Sequence, residues 1–315
     1  MSERTLAICI ATYQRPALVR RLLKALADCQ TPDGFAVQVR VIDNAPTPDG
    51  RMFAGGIPIR LGWQYELRHE PVQGIARARN AAVDIGPADY FVFIDDDEQP
   101  QPDWLVRLVD AADRTLADGI VGAVHGICPP GTPGWMIRGG FFDKPTAPVG
   151  EPMHWRGGRT SNTLIRGEWF GRHGLRFNDA FGLSGGEDTE LFLQMALRGG
   201  RFAGDPTIMV YEDVEPERAS FRWLWRRHVR GGRNYHRLQA SARQTGSQMA
   251  LLPLRLLRGV LAVLVGLVPA AAGRPEHLIK GLFGVAVVWG SFQAMCWPDA
   301  ASGAREYAGR QIQAV

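Results

Sequence analysis

Hydrophobic and polar positions alternate in blocks along the first hundred residues. "TLAICIATY" (5–13) has the pattern of a strand. "PALVRRLLKALADCQ" (16–30) spaces its apolar residues at helical intervals behind Pro16, a residue suited to a first helical turn. "VQVRVIDNA" (37–45) alternates, is rich in Val and ends in a polar turn, so it predicts a second strand. After a Gly/Pro-rich loop, "LGWQYELRHE" predicts a third strand, "GIARARNAAVDIG" a short helix and "DYFVFIDDDE" a fourth, buried strand. The order, approximately β-α-β-β-α-β, predicts an α/β fold with a mostly parallel sheet and helices on its faces. Ligands of such sheets sit beyond the carboxyl ends of the strands.

From about residue 119 the chain is rich in Gly and Pro, with "GICPPGTPGW" and "GGFFDKPTAPVGEP", and discontinuous structure is expected there. Loops this long commonly serve as lids or binding surfaces. "TSNTLIRGEWF" predicts a short strand, "GGEDTELFLQMALRGG" a helix and "RFAGDPTIMVYEDV" another strand. Two apolar runs follow, 251–273 and 278–297. A bilayer crossing needs roughly 20 apolar residues. Arg255 and Arg258 shorten the first run, and glycines and Gln293 interrupt the second. Interfacial helices or a shallow membrane hairpin, with arginines at the headgroups, are therefore expected. The division this suggests is a catalytic domain over 1–235 and a helical, membrane-associating segment over 236–315.

Composition adds limits. The 315 residues are 45% hydrophobic and 22% charged, which describes a folded globular chain, and a net charge of +4 leaves anionic partners unrepelled. Basic residues concentrate in "RWLWRRHVRGGRNYHR" (222–237), interleaved with Trp223, Trp225 and Tyr235. No nucleic-acid-binding motif accompanies them, so contacts to a diphosphate or to anionic lipid are expected there, and no nucleic acid. The four cysteines are scattered without CxxC pairing and suggest neither a zinc site nor a disulfide framework. "LAICIA" is too short for a secretory signal core, which places the catalytic part on the cytoplasmic side.

The chemistry gathers at strand ends: "ATYQR" after the first, "DNA" after the second and "DDDE" after the fourth. Asp95, Asp96, Asp97 and Glu98 are consecutive, and carboxylates so close repel unless a cation compensates. A divalent metal would supply that charge. Farther on, Glu187, Asp188 and Glu190 crowd a first helical turn behind Gly185 and Gly186. Acids there complement the helix dipole, and one of Glu187 or Asp188 can also face the ligand crevice as a general base.

Taken in order, "ICIATYQRP", "VIDNA", "GIARARNAAV", "FIDDDE" and "GGEDTELFLQ" resemble the family 2 glycosyltransferases of GT-A fold, over roughly residues 5–235. Residues 186–237 further resemble bacterial exopolysaccharide glycosyltransferases of the succinoglycan-biosynthesis type. The resemblance implies a Rossmann-like GT-A domain with a mixed, mostly parallel sheet, followed by an apolar helical appendage. It implies inverting transfer of a sugar, plausibly glucose, from a UDP-sugar to a lipid-linked oligosaccharide or polysaccharide precursor at the cytoplasmic face of the inner membrane. Thr12, Tyr13 and Arg15 would shape the nucleotide pocket, Asp43 would accept the uracil N3–H, and Arg77 or Arg79 would approach the nucleotide. The triple aspartate would be the donor element: Asp95 directed towards ribose or metal, Asp97 coordinating Mg or Mn, and Asp96 turned to the opposite face by strand alternation. Asp188 matches the catalytic aspartate, with Glu187 as the neighbour that orients or tunes it.

Two departures qualify the likeness. Tyr211, Glu212 and Asp213 stand where some relatives place a metal-binding histidine, and "RRHVRGGRN" replaces the QxxRW element of processive synthases. Addition of one sugar per acceptor is the expectation. The alternatives are a sugar nucleotidyltransferase, whose Gly-rich basic loop is missing after the first strand, and a non-catalytic nucleotide- or carbohydrate-binding protein.

Overall fold

A computed structural model describes residues 3–48, 60–182, 185–241 and 251–297. Most of the Gly/Pro-rich loop expected after "DNA" lies outside the described residues. The elements in chain order are β1 (Arg4–Thr12), α1 (Pro16–Ala27), β2 (Phe35–Asp43), β3 (Gln64–His69), α2 (Ile75–Val83), β4 (Tyr90–Phe93), β5 (Glu98–Pro100), α3 (Trp104–Thr115), β6 (Gly119–Ile127), α4 (Gly134–Arg138), β7 (Pro152–Met153), β8 (Thr163–Arg166), α5 (Glu187–Leu197), β9 (Phe202–Asp213), α6 (Phe221–Ser241), α7 (Leu252–Ala271) and α8 (Glu276–Cys296). Helix α1 starts at Pro16, as its pattern predicts. Helix α3 and the nine-residue β6 are structure that sequence reasoning missed; β6 runs through the start of the region expected to be discontinuous.

Two compact units divide the chain: residues 1–125, 143–182 and 187–212, and residues 126–142, 183–186 and 213–315. The first carries the sheet, in the order β3-β2-β1-β4-β8-β6-β9-β5, with β7 paired to β9. β3, β2, β1 and β4 run parallel, whereas β8 is antiparallel to β4 and β6, and β5 and β7 are antiparallel to β9. Alternate residues of one strand serve two cores. Leu6, Ile8 and Ile10 of β1 pack with Val19, Leu22, Leu23 and Leu26 of α1 and Trp104, Leu105 and Leu108 of α3. Ala7 and Cys9 face the other way, with Phe91 and Phe93 of β4, Ala78 and Ala82 of α2 and Leu191, Phe192 and Met195 of α5. Burial on both faces explains the near-continuous apolar runs, and it leaves β1, β2 and β4 with aligned carboxyl ends.

A buried asparagine ties the antiparallel half together. Asn162 Oδ1 accepts from the Trp104 indole at 2.8 Å, and its amide donates to Ala123 O at 2.7 Å and Ile208 O at 2.9 Å. Gly122 faces this group: a Cβ there would fall 2.3 Å from Asn162 Nδ2.

The second unit is helical around Met136, Phe142, Val214, Leu224 and Phe283. His228 stacks on Phe283 with 4.3 Å between ring centroids. Gly232 and Gly290 let α6 and α8 approach closely, since a Cβ on either would meet a facing backbone carbonyl at 2.0 Å or less. Trp223 and Trp225 of the basic stretch pack against this aromatic core. The apolar runs, expected to be interrupted, form continuous helices of 20 and 21 residues, long and apolar enough to cross a membrane by length and composition. Helix formation absorbs the glycines because the packed face needs small residues.

Candidate active site

Register places the first set of side chains. β1 pairs β2 so that Thr12 lies beside Asp43, at the carboxyl ends of both strands. Asp43 is buried and its Oδ1 accepts from the Ala45 N–H at 3.0 Å. The chain then turns through half-buried Tyr13 and through Gln14, whose φ of +53° is left-handed without glycine's freedom. Arg15 is thereby delivered to the next strand end.

β4 stops at Phe93, so Asp95, Asp96 and Asp97 lie in a turn and strand alternation does not govern them. Asp96 is accordingly not turned away. Its Oδ2 accepts from the Thr12 hydroxyl at 2.7 Å, and Arg15 Nη1 lies 3.3 Å from Asp96 Oδ1 and 3.4 Å from Asp97 Oδ2. Burial pushes the Asp96 carboxyl up, an effect that Arg15 and the Thr12 hydroxyl oppose.

Arg79 joins the Asp95 turn to the helix that carries the candidate base. It is buried, hydrogen-bonded through Nη1 to Glu187 Oε1, and its Nη2 lies 3.3 Å from Asp95 Oδ1. Burial pulls the guanidinium's pKa down, but the carboxylates of Glu187 and Asp95 more than offset it, so Arg79 is firmly charged. Arg77 instead is half-exposed and pairs with Asp179 at 2.9 Å. Of the two arginines, Arg79 is the one in the acid network.

Gly185 and Gly186, with φ of +79° and +97°, take the left-handed backbone that glycine alone adopts freely and lead into α5. Glu187 is buried at its start, and burial together with the Asp188 charge pushes its carboxyl up to about 7. Asp188 is half-buried; its Oδ1 accepts from the Thr189 N–H at 2.7 Å. The Thr189 hydroxyl lies 3.2 Å from Gly158 O, which ties this first turn to the preceding loop.

Sequence reasoning missed the cation beside the turn. Lys144 Nζ lies 2.7 Å from Glu212 Oε2, 3.6 Å from Glu98 Oε1 and 4.0 Å from Asp95 Oδ2. Burial lowers the lysine's pKa and the three carboxylates raise it further than that, leaving it raised. Glu98 is fully buried, and burial, then the Asp95 charge, pushes its carboxyl well up. Lys144 sits in a Gly/Pro-rich stretch with no periodicity, so nothing local signals it. The pairing of Glu98 with Glu212 across β5 and β9, which would have pointed to a shared cation, is a long-range register.

A parallel half-sheet whose carboxyl ends meet these acids, continued by an antiparallel half, is the arrangement of the GT-A fold. The chain belongs to glycosyl transferase family 2, whose family profile matches residues 7–174. The succinoglycan biosynthesis protein ExoM of Rhizobium meliloti (strain 1021) is 36% identical over 231 residues, covering 73% of this chain and 74% of that protein. Solved structures share the fold. Mannosyltransferase PcManGT from Pyrobaculum calidifontis, in complex with GDP-Man and Mn2+, aligns with a TM-score of 0.57 at 19% identity, over 94% of this chain and 88% of that one. Residues 1–349 of S. aureus TarS, in complex with UDP, align with a TM-score of 0.53 at 14% identity, over 92% of both chains. The longer TarS structure aligns with a TM-score of 0.51 at 16% identity over 72% of this chain, which spans 39% of that one. The chain is thus a family 2 glycosyltransferase that resembles a succinoglycan biosynthesis protein.

Proposed function

We propose that the enzyme transfers a single sugar, plausibly glucose, from a UDP-sugar to a lipid-linked saccharide in exopolysaccharide biosynthesis, with inversion at the anomeric carbon. The observation that carries this is Arg79, whose guanidinium meets both the Asp95 turn and the Asp188 helix and so would set a donor bound at that turn beside the base. Thr12, Tyr13 and Arg15 would line the nucleotide. Asp43, beside Thr12, would take the uracil N3–H. Asp188 would accept the acceptor hydroxyl's proton as that oxygen bonds to the anomeric carbon and the bond to the diphosphate oxygen breaks. One displacement needs no second nucleophile and turns an α-linked donor into a β-linked product.

Asp95 and Asp97 fit a divalent ion shared with the donor. No cluster of three or more acid, His or Cys ligands occurs among the described residues. Mg or Mn commonly binds through one or two carboxylates and substrate phosphates, which matches this set of donors. Among the described residues, Asp95, Asp96, Asp97, Glu98, Glu187, Asp188 and Glu212 gather around Arg15, Arg79, Lys144 and Arg159. Bound there, the ion would neutralise charge on the leaving diphosphate. Arg79 and Lys144 hold Asp95, and Arg15 holds Asp96 and Asp97, before any donor arrives.

Helices α7 and α8 would attach the enzyme to the cytoplasmic face of the inner membrane. Leu264, Val265 and Val268 are 55%, 73% and 77% exposed, an apolar surface suited to lipid. Arg255 and Arg258 stand near the start of α7, in reach of headgroups.

Asp188→Asn tests the reading. Sugar transfer falls ~10²–10⁴-fold while UDP binding is retained, as expected of a lost general base. Release of pyrophosphate in place of UDP would favour a nucleotidyltransferase, and full transfer by the variant would remove Asp188 from the chemistry.

A further inference from the structure

We infer that Lys144 is a positioning residue for the donor turn, holding Asp95 from the side opposite Arg79 and joining it to Glu98 and Glu212. The two Asp95 oxygens are divided between cations: Oδ1 lies 3.3 Å from Arg79 Nη2 and Oδ2 lies 4.0 Å from Lys144 Nζ. A carboxylate fixed from two sides keeps one orientation, which is what sharing a cation with a diphosphate would require.

The lysine is itself held in place. Its N–H donates to Val124 O at 2.9 Å and its carbonyl accepts from Val124 N–H at 3.1 Å, a bridge onto β6. Arg159 Nη2 donates to the same carbonyl at 2.8 Å and to Gly122 O at 2.5 Å, and Nη1 donates to Pro145 O at 3.0 Å. A half-buried guanidinium spent on three backbone carbonyls fixes the lysine's own backbone against β6.

Glu98 transmits this order to Asp95. Its Oε2 accepts from the Asp95 N–H at 3.0 Å, and its own N–H donates to Asp95 O at 3.1 Å. Glu98 and Glu212 are directly opposite in the β5–β9 pair, and the one ammonium that meets both carboxyls joins them. Without Lys144 the two carboxyls lose the group that joins them, and the turn built on Glu98 loses its fixed geometry.

The inference rests on Asp95 serving the donor diphosphate, so the test includes a variant that examines that reading separately. Full-length Asp95→Asn, Lys144→Met and the double variant Lys144→Met/Glu212→Gln are compared with wild type. Calorimetry reads UDP affinity in the presence of Mn2+, spin resonance reads Mn2+ binding, and thermal unfolding reads Tm. Lys144→Met is expected to weaken Mn2+-dependent UDP binding at least tenfold and to lower Tm. The double variant, with one cation and one acid removed, is expected to regain most of the Tm and none of the affinity. Recovery of affinity together with Tm would make Lys144 merely structural. Unchanged or tighter binding by Lys144→Met, alongside weakened binding by Asp95→Asn, would overturn the inference alone. Unchanged binding by Asp95→Asn would overturn the donor-turn reading and the inference with it.

Discussion

Glu187 shows how one residue's surroundings fix its behaviour. It is buried, pressed by the Asp188 charge and hydrogen-bonded to Arg79, and its carboxyl is held up to about 7. A raised folded-state value means that the native protein binds this proton more tightly than the unfolded chain. The stability contributed is therefore fully present below the unfolded carboxyl's range and lost as pH rises through about 7. Glu187→Gln is expected to flatten that part of the stability profile, measured as Tm between pH 5 and 8, on the order of the range over which the carboxyl titrates. An unchanged slope would show that Glu187 does not titrate there. Several candidate site residues stood out in the sequence: Asp95, Asp97, Thr12, Arg15 and Asp188 are acids and donors at strand or helix ends. The orientation of Asp96 was not, because the point at which β4 stops depends on packing that strand periodicity does not contain.

At the scale of elements, the parallel half of the sheet was readable because its strands are short, alternating and bounded by polar turns. β1, α1, β2, β3 and α2 appear where their patterns place them. β6 was hidden by its glycines: Gly119, Gly122 and Gly126 resemble loop punctuation, yet Gly122 and Gly126 back onto Asn162 and Phe142 with no room for a Cβ, and Gly119 lies close to Phe202. The Asn162 bridge is likewise long-range. Asn162→Ala would strand the Trp104 indole and the Ala123 and Ile208 carbonyls, at about 1–3 kcal/mol for each buried group left unsatisfied. Chemical denaturation is expected to show a loss of several kcal/mol, and a loss within ~0.5 kcal/mol would mean that water or side-chain movement replaces the bridge.

At the scale of the whole molecule, the chain joins an α/β catalytic unit to a helical one in which α7 and α8 carry exposed apolar surface. The sequence division at residue 235 falls inside α6, since a basic helix reads as polar surface until its aromatic residues are seen packed. Flotation with vesicles containing anionic lipid is expected to carry the full chain upward. Replacing Leu264, Val265 and Val268 by Ser is expected to leave it at the bottom, and flotation of that variant equal to wild type would contradict lipid contact through α7.

The central claim is that a divalent ion shared by Asp95, Asp97 and a nucleotide diphosphate supports transfer by this family 2 enzyme. It is tested most directly by nucleotide release from UDP-sugars, with membrane lipids present as acceptor, in Mn2+, in Mg2+ and in EDTA. Release of UDP in either metal, lost in EDTA and restored by added Mn2+, is the predicted result. Equal release in the chelated sample would contradict it.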